Sequence, residues 1–253
     1  MNTISTPAEV ARLLGCDPDK DAVHRAIANQ LRVLLLDEDA ATQWTLEVCV
    51  SSAGPSAGSG VRLHGGCAAG TVLACYPGVS YAAEDLPLMH QLILTGNNYV
   101  VARRDGVFLD GRPDGPSAKI SEIAQMREVA TVSSNAAGAA RHSIGPPRVF
   151  AVGNKVNHPP SGTWPNVLIY PFDLRAHEHP ELHPHLCVAP FRPPADGDPL
   201  KQTAVFVATR DLVDGEELWL DYKLSLDGPV EDWYSPVPAA TAMATAAHGH
   251  AHG

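Results

Sequence analysis

The spacing of apolar residues among polar ones at the start of the chain predicts two helices. From residue 6 to residue 36, apolar residues recur at helical spacing, and Gly15 and Pro18 interrupt the pattern. The run Thr6-Pro7-Ala8-Glu9 is a helix start, with threonine as N-cap, proline at the first helical position and glutamate two residues later. We therefore expect residues 1–43 to form a helical appendage laid on the main domain.

From residue 44 onward the pattern is typical of short strands. Apolar runs are bounded by glycine, proline or asparagine, and in chain order they are WTLEVCV, TVLACYPG, YVVARR, GVFLDG, VFAV, NVLIYPFDL, TAVFVATRDL and EELWLDY. Asp214-Gly215 predicts the turn that joins the last two runs. One short helix is predicted at 117–129. The fold class that follows is α+β, mostly β.

Two further segments differ in composition from the strands. Residues 112–147 read as a variable insertion within a main domain at 44–235, because 133–147 are rich in alanine, glycine, serine and proline. Residues 236–253, rich in alanine and histidine, predict a disordered tail.

Charge and cysteine content narrow the classes of protein. Eighteen basic against 28 acidic residues give a net charge of −10, which disfavours a nucleic-acid surface and favours a basic polypeptide partner, although such acidity also simply keeps proteins soluble. Five scattered cysteines without CxxC spacing indicate neither a disulfide framework nor a zinc cluster. No apolar run reaches membrane-spanning length. A nuclear or cytoplasmic protein fits best, with an organelle left open.

The glycine-rich segment around Gly58 and Gly60 allows close backbone approach to a ligand, and a flexible linker is the alternative. A dinucleotide fingerprint requires a helix directly after the glycines, whereas a β pattern follows here. This excludes a Rossmann domain and the seven-strand methyltransferase fold.

Two polar motifs near the C-terminal end carry candidate chemistry. The amide of Asn157 offers donors and an acceptor suited to an amino-acid-like ligand, and a polar turn is the alternative. Tyr222 ends a strand pattern, where it is either a satisfied core tyrosine or a phenol that orients an amine nucleophile. Glu216 and Glu217 follow Asp214-Gly215 and are predicted to lie in a solvated turn.

Taken in order, these motifs resemble the SET-domain protein-lysine methyltransferase family. The segments that carry the resemblance are GSGVRLHGGCAAGTVLACYPGVSY, YVVARRDGVFLDG and ATRDLVDGEELWLDY, which together span about residues 58–222. The chain is most similar to small members without flanking zinc modules, such as the group called SET domain-containing protein nine. The resemblance implies several small curved sheets and a pseudoknot-like C-terminal threading, with the Tyr222 strand beside the Asn157 loop.

The resemblance also implies a cofactor, S-adenosyl-L-methionine, and its contacts. Gly58 and Gly60 would place backbone against its methionine end, where Asn157 would also bind. The backbone of His158 would pair with the adenine. Trp233 is our candidate for stacking on that adenine, and an ordinary surface or core aromatic is an equally good interpretation.

For the reaction, the resemblance implies that Tyr222 is the catalytic tyrosine and that Tyr76 lines the methyl-transfer pocket. The expected activity is methyl transfer to a protein lysine side chain by in-line displacement. The expected partner is a protein with a basic, lysine-containing segment, with no direct nucleic-acid or membrane partner and a monomer as the default. A catalytically inactive SET module that serves as a protein-interaction domain is the rival hypothesis.

The chain departs from the family pattern around Asn157. Asn154 and Lys155 stand where members commonly have Arg-Phe, and Pro159-Pro160 replace Ser-Cys. Seven histidines at 177–185 and 248–252 suggest metal binding as a third hypothesis, but their setting favours a solvated loop and tail, so we expect no metal site.

Overall fold

The computed structural model describes residues 5–36, 44–85, 87, 90–135, 150–175, 177–189, 200–224 and 232–238. The predicted tail from residue 239 onward, including its three histidines, lies outside the described residues. So does the stretch 136–147 of the predicted insertion. Among the helices in the described ranges, none combines the length and apolarity that a membrane crossing requires.

The N-terminal region forms two helices with the predicted break between them. Helix α1 is Pro7–Leu14 and helix α2 is Lys20–Leu36. The Glu9 carboxylate accepts a hydrogen bond from the Thr6 backbone N–H at 2.7 Å, and the Glu9 N–H donates to the Thr6 hydroxyl at 3.4 Å. Gly15 ends α1 with a φ of 65°, a conformation that glycine adopts without steric cost. The predicted capping box and helix break are confirmed.

In the described ranges, the strands form three small antiparallel sheets. Strand β1 (Trp44–Val50) pairs with β2 (Ser59–Gly65). The second sheet has the order β3-β8-β7 and the third β4-β6-β5. The bounds of these strands are Val72–Cys75 for β3, Val79–Tyr81 for β4, Val100–Ala102 for β5, Phe108–Asp110 for β6, Val167–Arg175 for β7 and Leu200–Ala208 for β8. The α+β, mostly β fold class with several small sheets is confirmed.

Helix α3, Gly115–Asn135, follows β6 and is longer at both ends than the helix predicted at 117–129. A buried polar network fixes its first turn. The Ser117 hydroxyl donates to the Asp110 carboxylate at 2.5 Å, and the Asn97 amide donates to the same carboxylate at 2.9 Å. This network joins α3 to the loop that leads into β5.

Two of the predicted strands are not regular strands. The described part of VFAV, residues 150–152, is a turn and irregular chain that leads into a short 3₁₀ helix at Gly153–Lys155. The EELWLDY run is extended but makes isolated bridges instead of a ladder, because it changes partners midway. Its first half pairs with β2, where Leu218 N–H donates to Val61 O. Its second half pairs with Asn157 and Val167.

The change of partner produces the predicted threading. Leu220 N–H donates to Asn157 O at 2.9 Å, while Val167 N–H donates to Trp219 O at 3.1 Å. Residues 219–220 therefore lie between the Asn157 loop and the start of β7. The placement of the Tyr222 segment beside the Asn157 loop is confirmed.

The apolar core has two main parts. One part lies between the three sheets, and its fully buried members include Val61, Leu63, Leu73, Leu109, Phe206 and Leu218. The other lies between the helical hairpin and the β3-β8-β7 sheet, where Val10, Ile27 and Leu31 meet Phe172 and Val205. The two helices thus bury their apolar faces against the β3-β8-β7 sheet, which we call the central sheet.

Candidate functional site

Asn166 holds the segment that leads to Tyr222. Its amide N–H donates to Glu217 O at 2.8 Å, and its side-chain oxygen accepts the Trp219 N–H at 2.7 Å. The residue is 1% exposed, so these bonds form away from water. Sequence analysis assigned Asn166 no role, because an asparagine before a strand carries no signal of its distant partners.

We call residues 217–220 the threaded segment. Tyr222 lies where this segment leaves the Asn157 loop. Its hydroxyl donates to Val156 O at 3.0 Å, and its backbone N–H donates to Nδ1 of His158 at 3.3 Å. Burial raises the pKa of the Tyr222 phenol to about 12, because the phenolate would lose its hydration. The side chain is therefore a neutral phenol across the physiological range.

Tyr76 is buried at the end of β3. Its hydroxyl donates to Tyr99 O at 2.6 Å, and its ring lies nearly parallel to that of Phe206, with 6.5 Å between the centroids. Burial raises the pKa of Tyr76 well above that of an ordinary tyrosine. Like Tyr222, it keeps its proton and a fixed orientation.

Two cavities meet at Tyr222. A cavity of about 400 Å³ is lined by Tyr76 and mainly apolar side chains, and we call it the apolar cavity. A second cavity of about 500 Å³ is lined by Gly58, Asn157 and His158, and we call it the polar cavity. The residues that line both are Asn98, Asn154, Tyr222 and Trp233. The fold thus brings six of the seven predicted site residues around one pair of adjacent cavities.

Among the described residues that line the apolar cavity, the ionisable groups are the phenols of two tyrosines. Its described lining includes Leu94, Val100, Val101, Phe108, Phe206 and Leu220, together with the two tyrosines and a few amides. No aspartate, glutamate, histidine or lysine belongs to that lining. A charged ammonium group would therefore be poorly solvated there.

The polar cavity has a different character. The Asn157 amide donates to Ser59 O at 2.8 Å, which ties the Asn157 loop to the start of β2. The Lys155 ammonium lies 5.3 Å from the centroid of the Tyr99 ring. Among the described lining residues, Lys155 is the one lysine, and there is no arginine, aspartate or glutamate.

The two predicted glycines occupy different environments. Gly58 lines the polar cavity and has a φ of 64°. Gly60 is buried and does not belong to the lining of either cavity. A Cβ at Gly60 would lie 2.1 Å from Oε1 of Glu217, so the glycine makes room for that carboxylate.

His158 joins the threaded segment to residues 232–238. Its Nε2 is 2.8 Å from Ser235 O, and since a carbonyl only accepts, the proton is assigned to Nε2 while Nδ1 accepts from Tyr222. Its ring packs 4.5 Å from that of Tyr234. Trp233 stands edge-on to Tyr222, lines both cavities and is 48% exposed.

Several functional candidates were missed by sequence reasoning. Asn98 and Tyr99 precede β5, and Asn154 lies in the 3₁₀ helix, with its amide donating to Gly111 O at 2.6 Å. The polar run GNNY between two apolar runs is a signal that could have indicated the first two. Glu217 was predicted in a solvated turn but is buried, because the turn folds back onto Ser51 and Ser52.

The histidine-rich stretch at 177–185 gives no metal centre in the described ranges. His179 lies 3.5 Å from the Glu181 carboxylate. Within the described residues, no three histidine, cysteine, aspartate or glutamate side chains come together as a metal site requires.

Comparisons with known proteins find likenesses among solved structures alone. No protein-family model matches the chain, and no curated protein matches it. Among solved structures, it is similar to a crystal structure of KRYPTONITE in complex with mCHH DNA, H3(1-15) peptide and SAH, at 16% identity and a TM-score of 0.38. The alignment covers 78% of this chain but 27% of that one. A likeness of this strength does not identify the family of the chain.

Proposed function

We propose that this protein transfers a methyl group from S-adenosylmethionine to the side-chain amine of a protein lysine. The observation that carries the proposal is the meeting of a polar and an apolar cavity at Tyr222. Such a site suits two reactants that approach from opposite sides. The GEELWLDY and NH motifs, which suggested this reaction in the sequence, supply residues to both sides.

The polar cavity fits the proposed cofactor. Its volume of about 500 Å³ lies within the usual range for ligands of this size. Asn157 and the backbone at Gly58 offer hydrogen-bonding groups for an amino-acid end, and Trp233 offers an exposed aromatic face for a base. When bound, S-adenosylmethionine supplies an electrophilic methyl group.

The apolar cavity fits a lysine side chain that has lost its proton. Its apolar wall suits the four methylene groups, and the scarcity of charged partners disfavours the ammonium form. Neither phenol can accept the amine proton near neutral pH, since the pKa of Tyr222 is about 12 and that of Tyr76 is also raised. The proton is therefore lost to water before the amine is in place.

The tyrosines orient the reacting groups. The Tyr222 hydroxyl is held by Val156 O and the Tyr76 hydroxyl by Tyr99 O, so Tyr222 keeps a fixed position at the junction and Tyr76 keeps one in the wall of the apolar cavity. Fixed groups lower the entropic cost of aligning the amine with the methyl group. An acidic protein, with net charge −10, also attracts a basic substrate segment.

Binding of S-adenosylhomocysteine, measured by titration calorimetry, tests the cofactor half of the proposal. We expect a one-to-one complex. Incubation of cell lysate with the protein and labelled S-adenosylmethionine, read by mass spectrometry, should then show methylated lysines. If millimolar S-adenosylhomocysteine does not bind, the enzyme proposal is wrong and a protein-interaction module becomes the better hypothesis.

A further inference from the structure

The buried Glu217 carboxylate holds the loop between β1 and β2. It accepts hydrogen bonds from the Ser51 hydroxyl at 2.7 Å, the Ser52 N–H at 2.8 Å and the Ser52 hydroxyl at 2.7 Å. Glu217 is 7% exposed and Ser51 is 5% exposed. Bonds to an ionised carboxylate in such surroundings are stronger than bonds between neutral groups.

The loop held in this way forms one wall of the polar cavity. Ser51 N–H donates to Gly58 O at 2.9 Å, so fixing Ser51 also fixes the far end of the loop. The loop residues that line the cavity are Ala53, Ser56, Ala57 and Gly58. The position of the Glu217 carboxylate therefore determines the position of these loop residues in the polar cavity.

Glu217 also belongs to the segment that carries Tyr222. Its carbonyl accepts from the Asn166 amide, and Trp219, two residues further along the chain, is fixed by the same side chain. Gly60 leaves the space that the carboxylate needs, since a Cβ there would lie 2.1 Å from Oε1. One short segment thus connects the wall of the polar cavity to the junction of the two cavities.

We propose that Glu217 is a positioning residue that sets the β1–β2 loop relative to Tyr222 and so shapes the polar cavity for its ligand. The inference rests on the proposed function for the identity of that ligand. The contacts of the carboxylate with Ser51 and Ser52 do not depend on it.

The adjacent Glu216 provides a matched control. Its carboxylate pairs with Arg210 and accepts the Val213 N–H at 2.8 Å, without touching the β1–β2 loop. Glu217→Gln and Glu216→Gln change the net charge equally. Of the two variants, Glu217→Gln is the one that changes a carboxylate bound to the β1–β2 loop, which forms a wall of the polar cavity.

We expect Glu217→Gln to raise the dissociation constant of S-adenosylhomocysteine about tenfold, and Glu216→Gln to change it less than about twofold. In kinetic assays, KM for S-adenosylmethionine should rise in Glu217→Gln while kcat at saturation is retained. A purely structural role would lower the active fraction without moving KM. Wild-type affinity and wild-type KM in Glu217→Gln would overturn the inference.

Hydrogen exchange without ligand provides a measurement independent of the proposed function. In Glu217→Gln, a peptide covering residues 51–59 should exchange faster, while peptides from β7 and β8 should not change. Unchanged exchange at 51–59 would also overturn the inference. If the wild type binds no S-adenosylhomocysteine, the proposed function fails, and this measurement still decides the role of Glu217.

Ser52→Ala provides a second test of the inference if the Glu217→Gln protein does not fold. Ser52 is exposed and contributes one hydroxyl to the Glu217 carboxylate, so its removal is milder. We expect about a threefold weaker binding of S-adenosylhomocysteine and faster exchange at 51–59. Absence of both effects in a folded Ser52→Ala protein would contradict the inference.

Discussion

At the scale of single residues, the site depends on two phenols whose protons are kept by burial. Tyr76 and Tyr222 each donate to a backbone carbonyl, and neither has a basic partner among the described residues that line the apolar cavity. They differ in position, because Tyr222 lines both cavities whereas Tyr76 lines the apolar one. Tyr222 is therefore the residue whose hydroxyl should matter most for the proposed methyl transfer.

Tyr222→Phe should reduce methyl transfer about 100-fold, because the lost hydroxyl no longer fixes the ring or orients the amine. Affinity for S-adenosylhomocysteine should change less than about threefold, since the ring that lines the polar cavity is kept. Single-turnover methylation and calorimetry measure the two quantities. Tyr170→Phe, which removes a hydroxyl from β7 away from both cavities, is the control. Equal losses of rate and affinity in Tyr222→Phe would contradict the assigned role.

The raised phenol pKa values also predict how stability depends on pH. Burial raises the pKa of Tyr222 and Tyr170 to about 12, above the value of about 10 expected in the unfolded chain. Their contribution to stability is fully present below about pH 10 and is lost as the pH rises towards about 12. Urea unfolding at several pH values should show this decline, and Tyr222→Phe should make it shallower. An unfolding free energy that stays constant from about pH 10 to about 12 would contradict it.

At the scale of elements, the segment from Glu217 to Leu220 is held by isolated backbone hydrogen bonds and by side chains instead of a regular β ladder. Asn166 supplies two of its hydrogen bonds and Glu217 connects it to the β1–β2 loop. The capping box at Thr6 and Glu9 and the strand at 44–50 follow from local sequence and form as predicted. The threaded segment could not be predicted in the same way, because its partners lie more than 50 residues away.

Asn166→Ala should lower the free energy of unfolding by about 2–5 kcal/mol, since the buried Glu217 carbonyl and Trp219 N–H would each lose a partner. Asn29→Ala, at an exposed position in α2, should change it by less than about 0.5 kcal/mol. Urea titration followed by tryptophan fluorescence measures both values. A loss below about 1 kcal/mol in Asn166→Ala would show that the segment is held by other contacts.

At the scale of the whole molecule, the helical hairpin covers the central sheet and shares its core. Ile27 and Leu31 are fully buried against a cluster that includes Phe172 and Val205. The Arg103 guanidinium lies nearby in the buried layer, where it pairs with Asp173 at 2.7 Å and donates to Thr203 O. The sheet that positions Tyr76 on one face is thus covered by the helices on the other.

Ile27→Ala should lower the global free energy of unfolding by about 2–5 kcal/mol, because it leaves a cavity between α2 and the sheet. Val33→Ala on the same helix should have little effect, since Val33 is 52% exposed. Thermal and urea unfolding, monitored by circular dichroism and by fluorescence, provide the comparison. Separate transitions for the helices and the sheets in Ile27→Ala would contradict a shared core.

The candidate site was only partly predictable from residues alone. Asn157, His158 and Tyr222 belong to short motifs with local signatures, and the fold brings them together. Asn98, Asn154 and Tyr99 reach the cavities through contacts made by loops from different sheets, which leave no periodic pattern. Gly60 and Glu217 were both noticed in the sequence, but their mutual contact depends on how β2 meets the threaded segment.

The sequence by itself determined the helices, most strands, the fold class and the order of the motifs, because capping, periodicity and turn chemistry act over a few residues. Only the tertiary structure decided that Glu217 is buried, that EELWLDY changes partners midway and that two cavities meet at Tyr222. These features depend on contacts between segments far apart in the chain. The free energy that stabilises these features comes from burial and from hydrogen bonds between distant segments, which no local sequence pattern indicates.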